Sequence, residues 1–237
     1  MNSDFNYSGT ELDAMSQARQ YYAAISKYFD GHYGSHIVEV GAGVGTFSSF
    51  LYDRAGPESL CLLEPASNNF PVLRDRFRGH ESVTVHQGYL EDFAVGLSAD
   101  SLVAINVLEH VADEDAFLGA AREALRPGGT LLLFVPAVQS ISGSLDKAFG
   151  HMRRYSKSSL QTRLSQSGFQ TVSLRYFNLP GVLSWFIAGR VLRRVTISPR
   201  EVRIFDRAVM PWLSKVERFW EPPMGQSLVV VARKNIQ

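Results

Sequence analysis

Glu39, Gly41, Gly43 and Gly45 occupy alternate positions in one short run that begins inside the apolar stretch Ile37 to Val40. Glycines so placed let a chain turn sharply off a strand and bring backbone amides against a ligand with no Cβ in the way. The order departs from the G-x-G-x-x-G run that aims a helix N-terminus at a pyrophosphate. A second apolar run, Ser59 to Leu63, ends on Glu64, 19 residues past Gly45. A carboxylate at that distance is placed to accept hydrogen bonds from the two hydroxyls of a ribose. Glycine loop and acid together predict a site for an adenosyl-type ligand.

A second group could move protons or bind anions. His110 follows an apolar run, and an imidazole titrates near pH 6.5, which suits a general base. His151, Arg153, Arg154 and Tyr155 cluster in a long connection. Arginines bind carboxylate or phosphate bidentately, so this pair either holds an anionic substrate or clamps its own loop to acids. No metal site is expected, because the histidines and the single cysteine lack tight ligand spacing. The acidic run Asp113 to Asp115 reads as the first turn of a helix, where the macrodipole favours it.

These residues need a frame to hold them. Val83 to His86, Leu102 to Asn106 and Thr130 to Val135 read as further strands, Asp113 to Leu125 as a helix stopped by Arg126-Pro127-Gly128-Gly129, and Gln87 to Phe93 as a polar turn. Strands alternating with helices predict an α/β fold with a mostly parallel sheet and helices on both faces. Ligands in such sheets sit at the carboxyl ends of the strands, where the motifs fall. Phe169 to Asn178 and Ser227 to Ala232 read as strands six and seven, leaving residues 179–226 as a helical insertion. Within it Val202, Phe205, Val209, Trp212, Val216 and Phe219 recur at helical spacing, and Pro211 is expected to kink or divide the stripe. Three roles stay open for the insertion: a lid, a dimer face, or a basic amphipathic element on a membrane surface. Residues 1–10 read as a disordered tail and 11–237 as one domain.

The E-x-G-x-G-x-G run with Glu64 resembles the first motifs of the class I S-adenosylmethionine-dependent methyltransferases. Asn106-Val107-Leu108-Glu109-His110-Val111, followed by Leu125-Arg126-Pro127-Gly128-Gly129, is similar to their ubiquinone/menaquinone-type branch. Gly150-His151-Met152-Arg153-Arg154-Tyr155-Ser156 resembles a bacterial subgroup of that branch. The resemblance implies a Rossmann-like seven-stranded sheet whose last strand is antiparallel, with S-adenosyl-L-methionine as cofactor and S-adenosylhomocysteine as product. It also implies cofactor contacts at Tyr21, Glu39, Gly41, Ala42, Gly43, Glu64, Pro65, Gly88, Tyr89, Leu90, Asn106 and Val107. His110 and His151 are then the candidate bases, and His151, Arg153, Arg154 and Tyr155 the acceptor contacts. The implied reaction is methyl transfer to a small or lipid-linked acceptor, with oxygen preferred. Nitrogen or carbon methylation stays open, as does an inactive scaffold of the same fold.

Charge is unevenly spread. Residues 1–150 hold 9 Lys and Arg against 19 Asp and Glu, whereas residues 151–237 hold 15 against 4. Such segregation marks either an anionic partner or two halves that neutralise each other. An anionic, partly apolar acceptor is therefore expected, and peripheral membrane contact is compatible. No Asn/Asp-Pro-Pro-aromatic signature or RNA-binding module speaks for nucleic acid. Monomer and homodimer stay open. One cysteine, no signal-peptide pattern and no run long enough to span a bilayer lead to a cytoplasmic expectation.

Overall fold

A computed structural model describes residues 5–9 and 11–236. Seven strands form one sheet in the order β3-β2-β1-β4-β5-β7-β6. They are β1 (His36–Val40), β2 (Ser59–Glu64), β3 (Val83–Gln87), β4 (Ala99–Ile105), β5 (Leu125–Pro136), β6 (Phe169–Phe177) and β7 (Ser227–Lys234). Strands β1 to β5 run parallel, and β7 is antiparallel to both β5 and β6. The central strands β4 and β5 are apolar on both faces because each face is covered by a separate core.

The helices are α1 (Glu11–Met15), α2 (Arg19–Tyr28), α3 (Thr46–Ala55), α4 (Phe70–Arg76), α5 (Leu90–Phe93), α6 (Glu114–Ala124), α7 (Ser144–Ala148), α8 (Lys157–Gln166), α9 (Leu179–Phe186), α10 (Pro199–Ala208) and α11 (Met210–Phe219). Helix α6 shows how sequence sets an element. Asp113 caps it by accepting from the Ala116 amide (3.0 Å), the acidic first turn suits the dipole, and Phe117, Leu118 and Ala121 bury one face. Ser156 caps α8 in the same way.

Two expectations need correction and a third is met. The turn after β3 contains the helical turn α5, whose Asp92 side chain accepts from the Tyr89 amide. Residues 1–4 and 10 lie outside the described residues, but 5–9 are not loose: Phe5 O accepts from the Ser67 amide and the Tyr7 amide donates to Asn68. The stripe from Val202 to Phe219 is divided next to Pro211, as expected. The helix breaks at Val209, so Val202 and Phe205 pack on the core while Trp212, Val216 and Phe219 turn to solvent. Pro211, lacking an amide proton, sits in the first turn of α11, where none is needed.

The insertion is fastened to the domain by two buried carboxylates at helix N-termini. Asp206 of α10 accepts from the Gln20 and Tyr21 amides (3.0 and 2.8 Å), capping α2, which lacks a side-chain cap of its own. Glu217 of α11 accepts from the Asn178 and Leu179 amides at the start of α9, both at 2.9 Å. Each carboxylate satisfies two donors that the helix itself leaves open. Replacement Asp206→Ala is expected to lower stability by about 1–3 kcal/mol. Urea unfolding checks this, and an unchanged midpoint and slope would remove Asp206 from the account.

Candidate active site

The glycine loop leaves β1 with Gly41 at φ +67° and Gly43 at φ +58°, a region in which side chains bearing a Cβ are strained. A Cβ on Gly41 would also stand 2.6 Å from Val107 Cγ2. The amides of Gly41 and Ala42 both donate to Leu63 O, at 2.8 and 3.0 Å. Glu64 Oε2 accepts from the Gly43 amide at 2.7 Å, and Oε1 accepts from the Ala66 amide at 2.9 Å. Burial raises the Glu64 carboxyl, and these N–H donors together with Asn69 oppose the rise.

Above the loop opens a cavity of about 690 Å³. All the expected cofactor residues line it: Tyr21, Glu39, Gly41, Ala42, Gly43, Glu64, Pro65, Gly88, Tyr89, Leu90, Asn106 and Val107. Glu39 is buried, and its Oε2 has no hydrogen-bond partner among the described residues. Burial, aided by the nearby Glu64 charge, pushes its carboxyl up to about 8. Tyr89 is half exposed and Leu90 buried, so ring and aliphatic side chain offer one exposed and one enclosed surface at that end.

The opposite end holds both histidines and is organised by Asp146 of α7. Asp146 Oδ1 accepts from Arg154 Nε at 2.6 Å and meets His151 Nδ1 at 3.1 Å. Oδ2 accepts from Trp185 Nε1 and from the Gly143 amide, each at 2.9 Å. Burial raises this carboxyl, but the bonds from His151, Arg154, Trp185 and Gly143 win and hold it well below the usual range. An ionised Asp146 fixes the His151 proton on Nδ1 and leaves Nε2 as an acceptor. The rings of His151 and Trp185 lie parallel, with an interplanar angle of 1°. His110 bonds the Gly150 carbonyl through Nδ1 at 3.2 Å, which makes that nitrogen the donor. Burial and the neighbouring His151 lower its pKa to about 4, so it is neutral at pH 7.

Two expected acceptor contacts are employed elsewhere. Arg153 donates to Val111 O (2.6 Å) and pairs with Glu114 (3.1 Å), and Tyr155 is buried with its hydroxyl on Glu114 (2.7 Å); neither lines the cavity. Arg154 does line it but is bound to Asp146. Both arginines are thus engaged by acids of their own fold, Arg153 by Glu114 and Arg154 by Asp146. Among the described residues the cavity lining is acidic: Glu11, Glu64, Glu91, Asp92 and Asp113 face it beside the protonated Glu39, and Arg154 is its one Lys or Arg.

Linear reading also missed residues that only folding brings here. Tyr7 stands edge-on to His110 and bonds Glu11. Trp185 arrives from the insertion. Glu109, fully buried with neither oxygen hydrogen-bonded among the described residues, lies 3.9 Å from His151 Nε2. Burial lifts its carboxyl to about 7, against the opposing pull of His151. Glu109, His110 and His151 each offer an atom within 4.8 Å of the others, a spacing that could hold a metal ion and that chain separation conceals.

A methyltransferase domain family model matches residues 13–174. The ubiquinone biosynthesis O-methyltransferase of Bradyrhizobium sp. (strain ORS 278) is 28% identical over 100 residues, covering 42% of this chain and 39% of the relative. The chain thus spans about two fifths of the length of the curated relatives it matches. Among solved structures, an S-adenosylmethionine-dependent methyltransferase from Mesorhizobium loti is similar at 17% identity and TM-score 0.61, over 91% of this chain and 98% of that one. Phosphoethanolamine N-methyltransferase 2 of Haemonchus contortus, in complex with S-adenosyl-L-methionine, is similar at 16% identity and TM-score 0.62, over 96% and 58%. At these identities the likeness to solved structures shows the fold.

The buried Glu39 gives a pH signature. The folded protein keeps a proton there that the unfolded chain releases above its ordinary carboxylate value of 4.5, up to about 8. Folding stability therefore declines as pH rises through that window. Glu39→Gln removes the titration, so the variant is expected to melt above the parent at about pH 8 and to converge with it towards pH 5. A variant that melts at or below the parent at pH 8 would contradict a neutral Glu39.

Proposed function

This chain belongs to the S-adenosylmethionine-dependent methyltransferases of class I, and on that premise we propose that it methylates a hydroxyl of a small, partly apolar acceptor, free or lipid-linked. The single observation that carries the proposal is the Asp146–His151 pair at the wall of the cavity, with an accepting Nε2. The cavity is of a size that small-molecule and cofactor sites have. Its residues suit the cofactor: Gly41 and Gly43 admit close approach, and Glu64 retains acceptor capacity beyond its two backbone bonds, since a carboxylate accepts about four. The unpartnered Glu39 oxygen and the acidic lining suit a ligand that carries an ammonium and a sulfonium. When bound, S-adenosylmethionine supplies an electrophilic methyl group, which leaves the protein to align the acceptor, exclude water and move one proton.

His151 takes the hydroxyl proton on Nε2 as the oxygen attacks. Asp146 holds the ring in the accepting tautomer and balances the imidazolium that forms. Trp185, stacked on that ring, supplies an apolar wall for the acceptor. His110 is the weaker base because burial depresses it to about 4; it packs against His151 instead, with ring centroids 5.1 Å apart. The match to a ubiquinone biosynthesis O-methyltransferase supports oxygen as the methylated atom. A second reading, methylation of an amine, is favoured by the five acidic side chains that line the cavity besides the neutral Glu39, which would draw a cation.

Transfer of labelled methyl from S-adenosylmethionine to a panel of hydroxyl- and amine-bearing amphiphiles tests the proposal, with the product bond identified by NMR. O-methyl product supports it, and exclusive N-methyl product would replace it with the second reading. His151→Gln is expected to lower kcat by about 10²-fold or more while leaving cofactor affinity unchanged. An unaltered kcat would remove His151 as the base.

A further inference from the structure

The insertion has two faces that differ in kind. Its inner side helps to wall the cavity through Trp185 and Ile197 and is fastened by Asp206 and Glu217. Its outer side is covered by nothing among the described residues. On α11, Trp212, Val216 and Phe219 follow at intervals of four and three residues, which puts them on one helix face. Trp212 is 72% exposed and Phe219 88%. On α9 and the wide helical turn after it, Leu183, Ile187 and Val191 repeat the pattern, again solvent-facing. A soluble domain seldom leaves so many large apolar side chains in the open.

Charge says what would cover that side. Residues 179–226 carry eight Lys and Arg and four Asp and Glu. Two of the four acids, Asp206 and Glu217, are buried in the helix-capping bonds. All eight bases are exposed, against the two exposed acids Glu201 and Glu221. The fold has therefore sorted the insertion by sign, with the negative charge spent inward and the positive charge left beside the apolar stripes. Lys215 lies over the Trp212 ring at 5.7 Å, and Arg218 neighbours Phe219. A helix with aromatic residues on its outer face and Lys or Arg alongside suits the boundary between lipid headgroups and acyl chains. A second copy of the chain suits it poorly, because a two-fold contact would press this basic surface against itself.

We propose that the outer face of residues 179–226 docks on an anionic phospholipid bilayer, inserting Trp212 and Phe219 at the headgroup level while the basic side chains bind lipid phosphates. The inner face of the same insertion walls the cavity, so docking would bring the acceptor site to the lipid surface. No helix among the described residues is long and apolar enough to cross a membrane, so the contact is peripheral. The inference concerns the surface alone and stands whichever atom is methylated.

Flotation of the full chain with vesicles tests it, using phosphatidylcholine alone and phosphatidylcholine mixed with phosphatidylglycerol. The expected result is binding to the mixed vesicles, little to the neutral ones, and release as salt is raised. Trp212→Ser with Phe219→Ser should weaken binding to the mixed vesicles at least tenfold, and Lys215→Glu with Arg218→Glu about tenfold or more. Unchanged S-adenosylmethionine binding by both double variants shows that they are folded and separates this test from that of the reaction. The proposal is overturned if mixed and neutral vesicles bind alike, if neither binds, or if the Trp212/Phe219 variant binds as the parent does. It is also overturned if light scattering shows a dimer that the same variant dissolves and no vesicle binding accompanies it.

Discussion

The geometry of the site depends on one carboxylate. Glu64 closes β2 and reaches across to the amide of Gly43, while its other oxygen holds Ala66. With Gly41 and Ala42 bonded to Leu63 O, the glycine loop is tied to the neighbouring strand, and the Gly45 amide closes it by donating to Ala42 O. Burial opposes charge on Glu64, and only the amide donors around it make an ionised form tolerable. The bonds that shape the loop are thus the same ones that oppose the rise burial imposes on the Glu64 carboxyl at the carboxyl end of the sheet. Without them the floor of the cavity and the ligand-facing acid would be lost together.

Asp146 plays the corresponding part at the other end. Four donors from three segments converge on it: Gly143 beside it, His151 and Arg154 from the same long connection, and Trp185 from the insertion. A buried charge satisfied this fully is costly to disturb, because removing it would leave a guanidinium buried without its carboxylate. The connection after β5, the base and the inner wall of the insertion are therefore positioned as one unit. Asp206 and Glu217 repeat the device at helix N-termini, so carboxylates from distant parts of the chain hold each layer of the site.

Local chemistry was readable wherever it is written in adjacent residues. The strand ending on Glu39 and Val40, the glycine loop, the acid at Glu64 and the acidic helix start at Asp113 each follow from patterns a few residues long, and the covered parallel sheet follows from the alternation of strands with helices. What sequence reading missed depends on contacts between distant residues. Arg153 and Arg154 look like substrate clamps in isolation, and only the fold shows Glu114 and Asp146 already occupying them. Glu109 sits inside the Asn106–Val111 run with nothing in the sequence to mark its partner, yet folding places it beside His151 with its oxygens without a hydrogen bond among the described residues. Pro211 announces a division of the periodic stripe, but only the fold shows that the break at Val209 turns its second half outward. Residues 5–9 look like a tail because their anchors, Ser67 and Asn68, lie some sixty positions away.

The central claim is that the loop, Glu39 and Glu64 form a working S-adenosylmethionine site. Calorimetric titration of the purified chain with S-adenosylmethionine and S-adenosylhomocysteine, beside a Glu64→Ala variant, tests it most directly. The account predicts saturable one-site heat with both ligands, weakened by about 1–3 kcal/mol in the variant as charge-assisted bonds are lost. A folded parent that gives no saturable heat, or a variant that binds as tightly as the parent, would contradict it.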